Sequence, residues 1–188
     1  HQVERLCTDL PPWICDAVMR LKRPEDRSNA IFGKLLLSAG LRRLGNPTPD
    51  LGRLRWTSRG KPFFRSGPYF SISHSGRIAA CCLSSQARIG LDVERIEPIE
   101  IEPLCRYLPD TERRAVLGAA DPRTAFFRAW TRREAVVKAD GRGLAISEGL
   151  SRHYGRKYMV DKNKWHTSHI ELAANAVPLH LHGSLRCA

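Results

Sequence analysis

Hydrophobic and polar positions alternate between two periods along the chain, and the changes of period mark the elements. From Pro24 the period is helical. Ile31, Leu35, Ala39 and Leu41 share one side, Pro24 stands in a first-turn position with Glu25 and Asp26 behind it, and Gly45-Asn46-Pro47 closes the run. Short β-rich runs follow at Leu54–Thr57, Tyr69–Ser73, Ile78–Leu83 and Arg88–Ile96, separated by turns such as Arg59-Gly60-Lys61-Pro62 and Ser75-Gly76. Beyond Pro98 the helical period returns. Asp110 or Thr111 caps a helix to about Leu117, Asp121-Pro122 opens a longer one to about Asp140, and Gly141-Arg142-Gly143 ends it. Weaker strand signals lie at Lys157–Val160, His169–Ala173 and Val177–His182. Residues 1–23 are mixed, although Trp13 and Ile14 suit a short packed segment after Pro11-Pro12.

Each half thus reads as a helix followed by several strands. This order predicts an α+β fold of two similar lobes meeting near residue 90, an N-terminal lobe over 1–90 and a C-terminal lobe over 91–188. A length of 188 residues accommodates one domain or two such lobes. Hydrophobic residues at 42% and charged residues at 27% are close to globular averages, which argues against wholesale disorder. The apolar runs fall far short of the roughly 20 residues a membrane helix needs, so a soluble protein is expected.

Lys and Arg number 31 against 19 acids, a net charge of +12, so an anionic partner is expected. Nucleic acid, headgroups, phosphorylated small molecules and acidic proteins all meet that description. The six cysteines (Cys7, Cys15, Cys81, Cys82, Cys105 and Cys187) form no CxxC pair and follow no secretory segment, which predicts reduced thiols and a cytoplasmic setting. The chain opens on His1 and not on Met, which reads as a fragment or a trimmed N-terminus.

Three constellations carry candidate chemistry. In Ile89-Gly90-Leu91-Asp92-Val93-Glu94, strand spacing puts Asp92 and Glu94 on one face, where two like charges call for a cation such as Mg²⁺ between them. The plain alternative is a strand end running into solvent. In Trp130-Thr131-Arg132-Arg133-Glu134-Ala135-Val136-Val137-Lys138, helical spacing stacks Trp130, Glu134 and Lys138 at i, i+4 and i+8, which brings an acid and a base within reach of one ligand. An ordinary surface ion pair has the same spacing. In Tyr69-Phe70-Ser71-Ile72-Ser73-His74-Ser75-Gly76, hydroxyls, an imidazole and backbone N–H groups gather at a turn and can donate to phosphate oxygens. A solvated hairpin turn would read the same way. A Ser-His-Asp hydrolase is not favoured, because the G-x-S-x-G elbow is missing.

Taken together and in this order, Gly60-Lys61-Pro62, the Ser73-His74-Ser75 turn, the G-x-D-x-E strand and the W-x-x-x-E-x-x-x-K helix resemble the surfactin-type 4′-phosphopantetheinyl transferases. That family's motifs look like G-K-P, F-N-x-S-H-S, I-G-x-D-x-E and W-(S/T)-x-K-E-(A/S)-x-x-K, with a G-K-G-L tail matched by Gly141-Arg142-Gly143-Leu144. The likeness covers roughly residues 20–145. It implies two lobes in a pseudo-twofold arrangement with the active site in the cleft between them. The implied activity is Mg²⁺-dependent transfer of the phosphopantetheine arm of coenzyme A to a serine of an apo acyl or peptidyl carrier protein, releasing adenosine 3′,5′-bisphosphate.

Carried over by motif, Asp92, Glu94 and Glu134 would hold Mg²⁺, and Lys138 would contact the diphosphate and the departing bisphosphate. Glu112 falls where relatives place an acid proposed to deprotonate the carrier serine, although a first-turn helix acid is an equally plain reading. Lys61, Ser73 and His74 match positions that bind coenzyme A phosphates and adenosine, with His74 as a donor. The basic surplus would steer coenzyme A and an acidic carrier, with the chain acting as a monomer and neither nucleic acid nor membrane as its partner.

Several positions depart from the pattern. Arg133 stands for the usual Lys, Ser71 for Asn, and Asn29 for a phosphate-binding Arg that Arg27, Lys22 or Arg23 would have to replace. The segment before the first helix is also short for the family. The alternatives are a basic nucleic-acid-binding module, and a family member that binds coenzyme A without turnover.

Overall fold

The structure is a computed structural model that describes residues 2–8, 10–143, 151–153, 157–160, 163–171 and 178–183. Two short helices, α1 (Gln2–Cys7) and α2 (Pro12–Met19), precede the long α3 (Pro24–Arg43). Sequence pattern alone leaves residues 1–23 unassigned. Their helices form because Leu10, Ile14 and Val18 bury against Ile31, Leu37 and Leu41 of α3, a tertiary contact that no local period announces. Trp13, by contrast, stays partly exposed and meets the Trp56 ring edge-on at 5.2 Å.

The predicted strands are present with adjusted ends. A small hairpin joins β1 (Arg55–Trp56) to β2 (Pro62–Phe63), with Gly60 at φ +78 in the turn. A second hairpin, β3 (Tyr69–Ser75) with β4 (Ile78–Ser84), is antiparallel in full register from Tyr69 opposite Ser84 to Ser75 opposite Ile78. Helix α3 lies on this hairpin at close range. Cβ atoms added at Gly33 and Gly40 would stand 2.7 Å from Ile72 and 2.3 Å from Leu83.

The strand expected over Arg88–Ile96 is shorter, β5 (Ile89–Val93), because residues beyond Val93 bond to a β3 side chain and not to a neighbouring strand. It leads through α4 (Asp110–Leu117) to α5 (Pro122–Asp140). Helix α5 begins as its sequence predicts: the Asp121 carboxylate accepts from the Thr124 N–H at 3.0 Å, and Pro122 occupies the first turn. Its last turn closes on Gly141 at φ +84.

The remaining strands are β6 (Ser151–His153), β7 (Lys157–Val160), β8 (Asn163–Glu171) and β9 (Pro178–Gly183). They complete an antiparallel sheet in the order β5-β9-β8-β7-β6. The segment expected to be a strand over His169–Ala173 is the end of the longer β8, and its last two residues lie outside the described set, as do Val177, Leu144 and Cys187. One face of α5 packs on Tyr158, Val160 and Trp165 of this sheet, while Phe126, Phe127 and Ala129 pack against Val116 of α4 and against Leu108 ahead of it.

The fold is therefore mixed α+β, with antiparallel sheets. Strand β5 occupies its middle, against α5 on one side and β3 on the other. Gly90 sets the first of these contacts. A Cβ there would stand 2.0 Å from the Ala135 carbonyl oxygen and 2.5 Å from the Ala139 nitrogen, so only glycine lets the helix approach this closely. Among the described residues no helix is long and apolar enough to cross a membrane, and the five described cysteines are free thiols.

Candidate active site

The close approach at Gly90 puts the next residue of the same face, Asp92, under α5. Asp92 is only 3% exposed. The Lys138 ammonium donates to Asp92 Oδ1 at 2.5 Å and to Ser73 Oγ at 2.8 Å, so β3, β5 and α5 each contribute one group. The Ser73 hydroxyl donates to the same Asp92 oxygen at 3.0 Å, while Asp92 Oδ2 is buried with no hydrogen-bond partner.

Glu94, two residues on, accepts from the Ser75 hydroxyl at 2.8 Å. Burial raises the Glu94 carboxyl above its ordinary value, and the charges of Asp92 and Glu134 add to the rise against the lowering effect of Ser75 and Lys138. The Glu134 carboxyl is raised by burial first and by Asp92 second, with Lys138 and Arg133 opposing. Glu134 and Lys138 line a cleft of about 310 Å³ with Arg59, Lys61 and Phe70. A second cavity of about 380 Å³, with Phe63, Phe64, Arg65, Arg88 and Arg142 in its wall, adjoins it across Lys61.

Three carboxylates repel one another here and Asp92 leaves one buried oxygen without a partner, which is oxygen chemistry of the kind a hard divalent cation takes. Among the described residues no group of three acidic, His or Cys side chains is placed to hold a metal ion as the side chains lie, and Lys138 supplies the positive charge against Asp92.

Sequence reasoning anticipated Asp92, Glu94, Glu134 and Lys138, and these come together. The other candidates are differently placed. The Lys61 ammonium donates to the carbonyls of Lys138 and of Ala139, at the C-terminal end of α5, and burial followed by the Arg88 charge lowers its pKa. Ser73 points inward to Asp92, and strand alternation turns His74 outward to solvent. Arg27 spends its Nε–H on the Leu21 carbonyl at 2.7 Å, and the Asn29 amide is tied to the Gly76 carbonyl at 2.9 Å.

Glu112 is 3% exposed and sits 3.8 Å from Arg133 Nη1, beside a pocket between α4 and α5 lined by Asp121, Thr124, Ala125 and Arg128. At 3.6 residues per turn, the α5 residues of that pocket centre about 130° around the helix from the Glu134–Lys138 stripe. Trp130 also turns from the cleft, stacking on Phe126 at 6.0 Å. Ser75, read from sequence as part of the phosphate-donor turn, donates to the Glu94 carboxylate instead. Its signal was the alternation of serines at 71, 73 and 75, which puts three hydroxyls on one face of β3.

Comparison with known proteins gives this geometry a context. A family model described as the 4′-phosphopantetheinyl transferase superfamily matches residues 88–184, just over half the chain. The chain is 30% identical over 147 residues to 4′-phosphopantetheinyl transferase Sfp of Bacillus subtilis (strain 168), covering 76% of this chain and 65% of that protein. It is 34% identical over 136 residues to 4′-phosphopantetheinyl transferase HetI of Nostoc sp., covering 68% and 57%. With 4′-phosphopantetheinyl transferase gsp of Aneurinibacillus migulanus the identity is 28% over 153 residues, covering 80% and 61%. The chain thus spans less than two thirds of the length of each of these relatives.

Proposed function

The chain belongs to the 4′-phosphopantetheinyl transferase superfamily, and on that footing we propose that it transfers the 4′-phosphopantetheine arm of coenzyme A to a serine of an acidic apo acyl or peptidyl carrier protein. In this reaction the serine oxygen forms a bond to the phosphorus that bears pantetheine. The bond from that phosphorus to the bridging oxygen breaks, and adenosine 3′,5′-bisphosphate leaves with that oxygen. The observation that carries the reading is the ion pair of Lys138 with Asp92 at the cleft that Lys138 and Glu134 line.

Asp92, Glu94 and Glu134 would hold Mg²⁺. The ion would neutralise charge building on the phosphate oxygens. Lys138 contacts the diphosphate and stabilises the departing bisphosphate from a position fixed by β3 and β5. Lys61 pins the end of α5 and carries positive charge between the two cavities that coenzyme A would occupy, and His74 offers a donor at the exposed side of β3. The proton acceptor for the serine is assigned to the Glu134 side of α5. Glu112, buried 3.8 Å from Arg133, serves as that arginine's counter-charge in this reading.

We further propose that α3 with its hairpin and α5 with its sheet are two lobes related by a pseudo-twofold axis and divided near residue 90, with the cleft between them. One chain then supplies both walls, which favours a monomer. Reduced thiols and a nucleotide cosubstrate favour work in the cytoplasm. The arginines suit the diphosphate and the acidic carrier.

The test is incubation of the full chain with coenzyme A, Mg²⁺ and a panel of apo carrier domains, read by intact mass. A gain of one phosphopantetheine on the carrier, lost with Glu134→Ala, supports the proposal. Unmodified carriers would count against it, and calorimetric binding of coenzyme A without product would identify a binder that lacks turnover. A salt-sensitive oligonucleotide affinity indifferent to coenzyme A would point to the nucleic-acid alternative.

A further inference from the structure

We infer that Ser73 is a positioning residue: its hydroxyl fixes the Lys138 ammonium against Asp92 and does not itself hold a phosphate of coenzyme A. The kinetic consequence rests on the transferase reading above, whereas the geometry stands on hydrogen-bond counting alone.

A serine hydroxyl has one proton to give and two lone pairs that accept. All three are used within the protein. The proton goes to Asp92 Oδ1 at 3.0 Å, and the oxygen accepts from Lys138 Nζ at 2.8 Å and from the Val93 N–H at 3.3 Å. Ser73 is 5% exposed, and redirecting its proton to an incoming phosphate would strip a donor from a carboxylate whose other oxygen already has none.

The surroundings support the same role. Ser71, Ser73 and Ser75 alternate along β3, and each donates to the β5 segment: Ser71 to the Leu91 carbonyl at 3.5 Å, Ser73 to Asp92, and Ser75 to Glu94. Strands β3 and β5 belong to different sheets, so no backbone ladder joins them. The hydroxyls supply that seam, and Ser73 is its middle member. A lysine side chain has several free torsions to lose on ordering, and two fixed partners hold Lys138 in one rotamer before substrate arrives.

The experiment compares wild type, Ser73→Ala and Ser73→Thr in the full chain. Three quantities are read: transfer kinetics, coenzyme A affinity by calorimetry, and the rate at which acetic anhydride acylates Lys138, followed by mass spectrometry. Ser73→Ala is expected to lower kcat about tenfold or more, since small misplacement of a catalytic group is costly. Because Lys138 also contacts the diphosphate, the coenzyme A Kd should rise by less than kcat falls, and Lys138 should label several-fold faster. Ser73→Thr, which keeps the hydroxyl, is expected to return all three toward wild type.

A coenzyme A Kd raised about tenfold with kcat retained would make Ser73 a binding residue and overturn the inference. Unchanged Lys138 labelling in folded Ser73→Ala would overturn it as well. Should Ser73→Ala unfold, Ser73→Cys, with its weak S–H donor, carries the same comparison. A wild-type chain that transfers nothing would defeat the transferase reading, while the labelling still decides the geometry.

Discussion

The Lys138 ammonium on α5 stands 2.5 Å from Asp92 Oδ1 on β5, so a helix and a strand 46 residues apart are joined by one ion pair. Asp92 is dry and Lys138 is 32% exposed at its side chain. Removing the lysine leaves a buried carboxylate without its counter-charge, a cost of about 3–5 kcal/mol for fully buried pairs and about 1–3 kcal/mol at this exposure. Lys138→Ala is therefore expected to lower the urea midpoint and to reduce transfer by about 100-fold or more. Asp92→Asn added to Lys138→Ala should recover much of the stability and none of the activity. A double variant as unstable as the single one would show that the pair does not hold α5 to β5.

Gly90 offers a test of backbone approach that involves no charge. Its missing Cβ leaves room for the Ala135 carbonyl, which would otherwise stand 2.0 Å away. Backbone on both sides of the contact cannot rotate aside as a side chain would. Gly90→Ala is expected to destabilise by about 3 kcal/mol or more, beyond the usual cost of overpacking, and to shift Asp92 away from Lys138. Denaturant unfolding measures the first effect, and loss of transfer with preserved secondary structure measures the second. A variant as stable as wild type would mean that α5 does not lie this close to β5.

The parts of the fold legible in sequence are those set by local chemistry. Pro24, Asp121-Pro122 and Gly141 mark helix ends because proline lacks an N–H, aspartate caps and glycine adopts positive φ. Asp92 with Glu94, and Glu134 with Lys138, were readable because strand and helix periods fix which residues share a face. What stayed hidden depends on partners distant in sequence. Helix α2 exists by burying Ile14 and Val18 on α3, and Ser75 reaches the Glu94 carboxylate only because the two lie opposite each other. Lys61 reads as a phosphate contact, and nothing local shows that its ammonium also reaches the end of α5, 77 residues away.

Glu112 is the position where sequence likeness and burial against Arg133 point to different roles. Loss of a general base typically costs about 10²–10⁴-fold in rate. A buried carboxylate 3.8 Å from Arg133, whose two oxygens find no hydrogen-bond partner, instead contributes as the counter-charge of that arginine. Glu112→Gln is expected to slow transfer by less than about tenfold and to destabilise by about 1–3 kcal/mol, because Arg133 loses a buried counter-charge. Rate and melting temperature measured on the same preparation separate the two roles. A loss near 1,000-fold with an unchanged melting temperature would restore Glu112 as the base.

Glu94 and Glu134 also make a prediction about pH, and its sign follows from their raised carboxyls. Both begin at an ordinary value of 4.5 and are pushed upward in the folded protein, chiefly by burial and further by the Asp92 charge. In the window from 4.5 up to the folded value, the folded chain keeps protons that the unfolded chain has released. Their stabilising contribution is complete below 4.5 and is lost as pH rises through the folded value. Without divalent cation, the melting temperature should therefore carry a falling component from this window toward neutrality, and Glu134→Gln, which cannot ionise, should flatten it. If the ionised carboxylates hold Mg²⁺ as proposed, at neutral pH it should raise the wild-type melting temperature and raise that of Glu134→Gln less. Melting curves at fixed ionic strength across the window, with and without Mg²⁺, check both statements. Identical slopes for the two proteins would show that Glu134 is not held among opposing charges.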